Sequence, residues 1–126
     1  MSAQLNHTII WCRDNVRSAA FLAEILDRPS PRTFHHFQVV DLDNGVSLDF
    51  MSKEGEVARQ HYAFLVGEAD FDAAFARLEA RGSTWWADPA RTRPNEINTH
   101  DGGRGLYFED PDGHLLEIIT RPYGGG

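Results

Sequence analysis

Short apolar runs separated by polar turns, with two longer stretches of helical period, set out the chain. Residues 5–11 are apolar and rich in β-branched side chains, which predicts a strand. Asp14 or Asn15 then caps a helix with Val16, Ala19, Ala20, Ala23 and Leu26 along one face and Phe21, Leu22 and Ile25 beside it. Pro29 and Pro31 stop that helix, since neither has an N–H to continue it. From Thr33 to Met51 the pattern is of strands, with His35 and His36 expected where one begins. Asp43-Asn44-Gly45 breaks them, and Asn-Gly predicts a hairpin whose two turn residues both have positive φ.

The plan then repeats. Residues 59–67 predict a strand, Asp70 the cap of a helix bearing Phe71, Ala74, Phe75 and Leu78, and Gly82 its left-handed end. A short strand is expected around Thr84-Trp85-Trp86, then a polar loop over 88–104, a length that often marks a lid or binding segment. Strands over 105–109 and 114–120 flank the turn Asp110-Pro111-Asp112-Gly113, and Gly124-Gly125-Gly126 is expected to fray. Each half reads β-α-β-β-β, about residues 4–52 and 58–122, which places the chain in the α+β class. A half this small cannot cover its own sheet. The two are expected to curve their sheets around a shared cavity within one domain, residues 1–126.

The repeat carries chemistry as well as pattern. His7 precedes Ala19-Ala20-Phe21 by twelve residues, and His61 precedes Ala73-Ala74-Phe75 by the same twelve. The first half closes on Asn44-Gly45-Val46-Ser47-Leu48-Asp49-Phe50, the second on Asp112-Gly113-His114-Leu115-Leu116-Glu117-Ile118. A histidine thus opens each half and a carboxylate ends it. Glu117 shares its strand face with Leu115 and Ile119, and a lone carboxylate among apolar neighbours is costly to bury unless it is paired or metal-bound. His7 shares a face with Leu5, Ile9 and Trp11, and His61 with Ala63 and Leu65, so these faces are expected to point inward. Two imidazoles and two carboxylates form a common ligand set for a divalent metal.

Composition narrows the partners. A net charge of −7 argues against nucleic acid, which needs basic patches. Cys12 is the only cysteine, so no internal disulfide forms, and the residue is expected to pack within the first strand. No apolar run approaches the roughly 20 residues of a spanning helix, and no signal peptide is evident, so no membrane partner and a cytoplasmic location are expected.

With His7, His61 and the run Tyr107-Phe108-Glu109-Asp110-Pro111-Asp112-Gly113-His114-Leu115-Leu116-Glu117, the chain resembles the vicinal oxygen chelate superfamily. That group includes glyoxalase I, extradiol dioxygenases, methylmalonyl-CoA epimerase, fosfomycin-modifying enzymes and bleomycin-binding resistance proteins. The resemblance covers essentially the whole chain and implies paired βαβββ modules of glyoxalase-like fold. It further implies a homodimer and a divalent ion, whether Zn, Ni, Fe(II), Mn or Co, with an open coordination face.

Position by position, His7, Asp49, His61 and Glu117 match the four ligands of glyoxalase-like members, with Glu117 also the candidate base for lyase or isomerase chemistry on a small oxygenated substrate. The dioxygenase and fosfomycin branches match only His7, His61 and Glu117, and two histidines with one carboxylate suit non-haem Fe(II). Glyoxalases usually carry Glu where this chain has Asp49, one methylene shorter. A different class, sequestration of an antibiotic or other natural product, is the alternative; its members have generally lost the ligands kept here. Candidate pocket residues are Trp11, Phe50, Trp85, Trp86 and Tyr107 for packing on a ligand, with Arg93, beside Arg91, for a substrate carboxylate or phosphate.

Overall fold

The computed structural model describes residues 2–123, so the Gly124–Gly126 tail lies outside the described residues. The chain divides into two compact units, the first ending at Ala58 and the second beginning at Arg59. That division falls between the two halves read from the repeat.

In the first unit the order is β1 (His7–Cys12), α1 (Asn15–Ile25), β2 (Arg32–Phe34), β3 (Phe37–Asp41) and β4 (Ser47–Ser52). The sheet runs β1-β4-β3-β2, with β1 parallel to β4 and the other pairs antiparallel. Asp14 caps α1, its carboxylate accepting from the N–H groups of Val16 and Arg17. Pro29 is not what ends this helix. Asp27 takes a left-handed φ of 52°, and the Arg28 and Asp27 N–H groups donate back to the carbonyls of Ala23 and Glu24. The buried stripe is Ser18, Ala19, Phe21, Leu22, Ala23 and Ile25, whereas Val16 and Ala20 are exposed. His35 and His36 do not begin a strand. They form the turn between β2 and β3, which pair as far as Phe34↔Phe37.

The hairpin at Asp43-Asn44-Gly45 also differs from the expected form. Only Gly45 has positive φ, at 81°. The Gly45 N–H donates to Leu42 O and the Leu42 N–H to Val46 O, a type I turn followed by a bulged glycine.

In the second unit β5 (His61–Leu65), α2 (Glu68–Ala80), β6 (Trp85–Trp86), β7 (Gly105–Glu109) and β8 (Leu115–Ile119) follow, in the sheet order β5-β8-β7-β6. The same turn recurs: Gly113 has φ 85°, its N–H donates to Asp110 O, and the Asp110 N–H donates to His114 O. Helix α2 starts earlier than Asp70 suggested. Gly67 is its N-cap, and Asp70 lies in the first turn, where its charge complements the helix dipole. Gly82 does close the helix, with φ 70° and the Gly82 and Ser83 N–H groups returning to Glu79 and Leu78.

The 88–104 segment is fastened rather than free. Trp86 bridges to Pro94 and Asn98 to Gly105, and the Asn98 amide donates to Ala87 O at 2.8 Å. A short 3-10 turn spans His100–Gly102.

Candidate functional site

Identical register places the repeated residues identically in each unit. In the first, β1 pairs with β4 so that His7 is opposite Ser47 and Ile9 opposite Asp49. In the second, His61 is opposite Leu115 and Ala63 opposite Glu117. Strand alternation then puts each histidine and its carboxylate on one face, two residues apart. The other faces hold the cores: Ile10, Cys12, Leu48 and Phe50 in the first unit, Phe64, Leu116 and Ile118 in the second.

The histidine faces are open rather than internal. Ile9, Trp11 and Leu65 are exposed, as are His7 and His61. The carboxylates are drawn in further, Asp49 to an intermediate degree and Glu117 almost completely, at 1%.

Around His7 and Asp49 lies a groove of about 350 Å³, also lined by Asn6, Arg32, Phe34 and Phe37. Arg32 is not free there. It holds Asp41 through two hydrogen bonds, of 2.8 and 3.1 Å, and Ser47 donates to the same carboxylate. Arg32, followed by Ser47, therefore keeps Asp41 below the ordinary range of a carboxyl.

His61 and Glu117 make direct contact, Nε2 to Oε1 at 3.2 Å. The other ring nitrogen of His61, Nδ1, lies 2.9 Å from Leu115 O. A carbonyl only accepts, so Nδ1 carries a proton and Nε2 is the ring nitrogen presented to the carboxylate. Two acceptors in contact are satisfied by a positive charge, either a proton on the imidazole or a cation against both. His7 is fixed in the same tautomer by a different partner, Asn6 Oδ1, at 2.7 Å. Each histidine thus has the Nδ1–H anchor of a metal ligand. The donor types fit a divalent ion, although among the described residues no group of three or more potential ligands is gathered.

Sequence reasoning missed Tyr123. Its hydroxyl donates to Glu117, lying 2.8 Å from Oε1 and 2.6 Å from Oε2, and stands 3.1 Å from the Tyr107 hydroxyl. Tyr107 is on the Glu117 face because it pairs with that residue across β7 and β8. Burial, then the neighbouring Tyr123 hydroxyl and Glu117, pushes the Tyr107 phenol far above its usual pKa. Only the spacing of Tyr123 from Glu117, six residues on, hinted at this.

The pocket candidates divide. Trp11 is on the open face of β1, and Trp86 pairs with Tyr107 and so shares its face. Arg91 lies over the Trp86 ring at 5.8 Å and bonds Glu109 at 3.2 Å. Phe50 and Trp85, expected in the pocket, lie on the opposite, helix-covered faces of their sheets. Phe50 is 1% exposed and alternates with Asp49, so it packs the core behind the sheet. Trp85 pairs with Phe108 and meets Phe75 of α2 at 4.9 Å, again on the helix side. Arg93 pairs with Glu96 at 2.9 Å.

Residues 4–118 match the model of the glyoxalase/bleomycin resistance protein/dioxygenase superfamily. The chain belongs to that superfamily. Among solved structures it is similar to oxidase ChaP-H1, at 58% identity over 98% of this chain and 100% of that one, with a TM-score of 0.96. It is also similar to oxidase ChaP-H2, at 55% identity over the full length of both, with a TM-score of 0.97. Among characterised relatives it is 41% identical to the glutathione transferase FosA of Serratia marcescens, over 94% of this chain and 81% of that protein. A shorter match, 39% identical over 72 residues, covers 57% of this chain but only 45% of the metallothiol transferase FosB of Shouchella clausii. No helix among the described residues is long and apolar enough to cross a membrane.

Proposed function

We propose that this superfamily member is a divalent-metal-dependent oxidase acting on a small oxygenated organic substrate, with dioxygen as the co-reactant. The observation that carries the reading is the pairing of His61, held through Nδ1, with the buried carboxylate of Glu117. The likeness to two oxidases over nearly the full chain favours oxidation over the lyase or isomerase chemistry that four ligands alone suggest. His7, His61 and Glu117 would hold the ion, with Asp49 as a fourth ligand or as a carboxylate close to the substrate. When bound, the ion supplies Lewis acidity and, as Fe(II), the one-electron chemistry that dioxygen requires.

The chain's own residues prepare the rest. Leu115 O and Asn6 hold Nδ1 of His61 and of His7, which leaves Nε2 as the nitrogen each would offer to the ion. The Tyr123 hydroxyl offsets part of the burial of the Glu117 charge, and Tyr107, kept as a neutral phenol, is a donor beside it. The open faces with Trp11 and Trp86, and the groove with Phe34 and Phe37, offer aromatic surface to a ligand. Assembly as a homodimer, with a small molecule as the only other partner, completes the proposal.

Oxygen-electrode measurements on Fe(II)-loaded and Zn-loaded protein, with catechol and hydroquinone probes, test it. Oxygen uptake with Fe(II), lost in E117A, is the expected result. Proton exchange or isomerisation supported equally by Zn and Ni, without oxygen uptake, overturns it in favour of the lyase/isomerase class. Aromatic-ligand binding unchanged by E117A, with no metal taken up, would favour sequestration.

A further inference from the structure

The second unit holds a buried histidine that the metal reading does not use. His114 is 1% exposed and follows directly on the Asp110–Gly113 turn. Its Nδ1 accepts the N–H of Gln60 at 3.0 Å. A backbone N–H only donates, so this nitrogen carries a lone pair. The ring of Tyr62 meets the imidazole edge-on at 5.9 Å, which fixes its tilt.

The neighbours of this bond are the residues of the site. Gln60 directly precedes His61, and Leu115 directly follows His114. Leu115 N donates to Gln60 O at 2.9 Å, and Leu115 O receives His61 Nδ1 at the same distance. A side chain therefore supplies the acceptor that closes the ladder at the start of β5, one peptide before the candidate ligand.

The first unit serves as an internal control. Val46 stands where the second unit has His114, and Asn6 where it has Gln60. The equivalent backbone bond is kept, Ser47 N to Asn6 O at 2.9 Å. Val46 has no acceptor to offer, and there Nδ1 of the histidine takes its partner from the preceding side chain instead. The copy that contains the buried imidazole anchors its ligand histidine on the backbone, and the copy that lacks it uses Asn6.

We infer that His114 is a positioning residue for His61: by holding the Gln60 peptide it keeps His61 Nδ1 on Leu115 O and Nε2 turned toward Glu117. The geometry stands alone, but its consequence for metal binding rests on the reading under Proposed function.

His114→Leu removes the acceptor at similar volume, whereas the Oδ1 of His114→Asn falls near the position of Nδ1. Three quantities are read on the full chain: the His61 Nδ1–H signal by ¹⁵N NMR without metal, Co²⁺ affinity by calorimetry, and Tm. H114L is expected to lose the Nδ1–H signal and to bind Co²⁺ about 10- to 100-fold more weakly, while H114N keeps the signal and stays within about threefold of wild type. A purely structural role would lower Tm in both variants and leave tautomer and affinity unchanged in the folded protein, which would overturn the inference. If H114L does not fold, His114→Gln displaces the acceptor by one bond and is expected to show a smaller loss of both; wild-type values there overturn it too. Absence of Co²⁺ binding by wild type, or binding unchanged in H61A, defeats the metal reading alone, because the Nδ1–H signal still decides the role of His114.

Discussion

Glu117 is almost fully removed from water, and the groups that receive its charge differ in how they could be foreseen. Alternation along a strand was enough to mark it as an expensive carboxylate among apolar neighbours, and the repeat matched it with Asp49. Tyr123 was hidden because it reaches Glu117 only after the chain has left β8. Removing its hydroxyl in Y123F is expected to destabilise the protein by about 0.5–1 kcal/mol, below the roughly 1.5–3 kcal/mol of a bond to a charged acceptor, since Tyr123 is itself exposed. Urea unfolding of wild type and variant would show this, and equal midpoints would refute it.

Asp110 offers a second residue-scale test. Burial raises the pKa of its carboxyl, partly opposed by His114 and by the N–H groups of His114 and Asp112. A carboxyl whose folded pKa lies above its unfolded value contributes most at pH below the unfolded value, and that contribution is lost as pH rises through the folded one. Asp110→Asn retains an acceptor for both N–H groups but cannot ionise. The stability of D110N relative to wild type is therefore expected to increase from pH 4 to pH 7, measured by urea denaturation across that range. A difference independent of pH would contradict the assignment.

Among the elements, those carried by local chemistry were legible and those set by pairing were not. Asp14 caps α1 and Gly82 closes α2 as their types require. The end of α1 was misread because proline is a visible stop, while a left-handed aspartate is not. Asp27 does in α1 what Gly82 does in α2. A left-handed L-residue costs roughly 1–2 kcal/mol, against roughly 0.5–1 for the freedom a glycine loses, so Asp27→Gly is expected to stabilise by about 0.5 kcal/mol. Thermal melts would resolve a gain of that sign, and a lower Tm would show that the Asp27 side chain contributes more than its backbone conformation costs.

The 88–104 loop shows the same limit from another side. Its length suggests a lid or binding segment, but the segment is clasped by Asn98, which is 8% exposed and bonds Ala87 O across eleven residues. Leaving that carbonyl unpaired in N98A is expected to cost about 1–3 kcal/mol and to speed amide exchange over residues 95–104. Exchange unchanged in that segment would mean the two β-bridges hold it without the side chain.

For the whole molecule the question is whether four residues from two repeated halves act as one ligand set. Each unit shows a pair, His7 with Asp49 along one groove and His61 with Glu117 in contact. The repeat, exact in register, makes the four positions equivalent in pairs, but it does not show that the faces bearing them are open. Hydrophobic neighbours such as Ile9, Trp11 and Leu65 suggested burial that the sheets do not provide. Binding linkage separates the cases. An ion that binds only the folded state adds about 2.7 kcal/mol at a hundred times its Kd, and the gain disappears when a ligand is removed. If one ion is held by the full set, H7A, H61A and E117A each abolish the Co²⁺-dependent rise in Tm. If His61 and Glu117 suffice, H7A keeps the rise and the other two lose it. D49A then distinguishes three ligands from four, since loss of a true ligand reduces the rise and loss of a nearby carboxylate leaves it. The expected pattern is loss in the three variants with D49A nearly intact, which matches an oxidase site with an open coordination position; an equal loss in D49A would return the preference to glyoxalase-like chemistry.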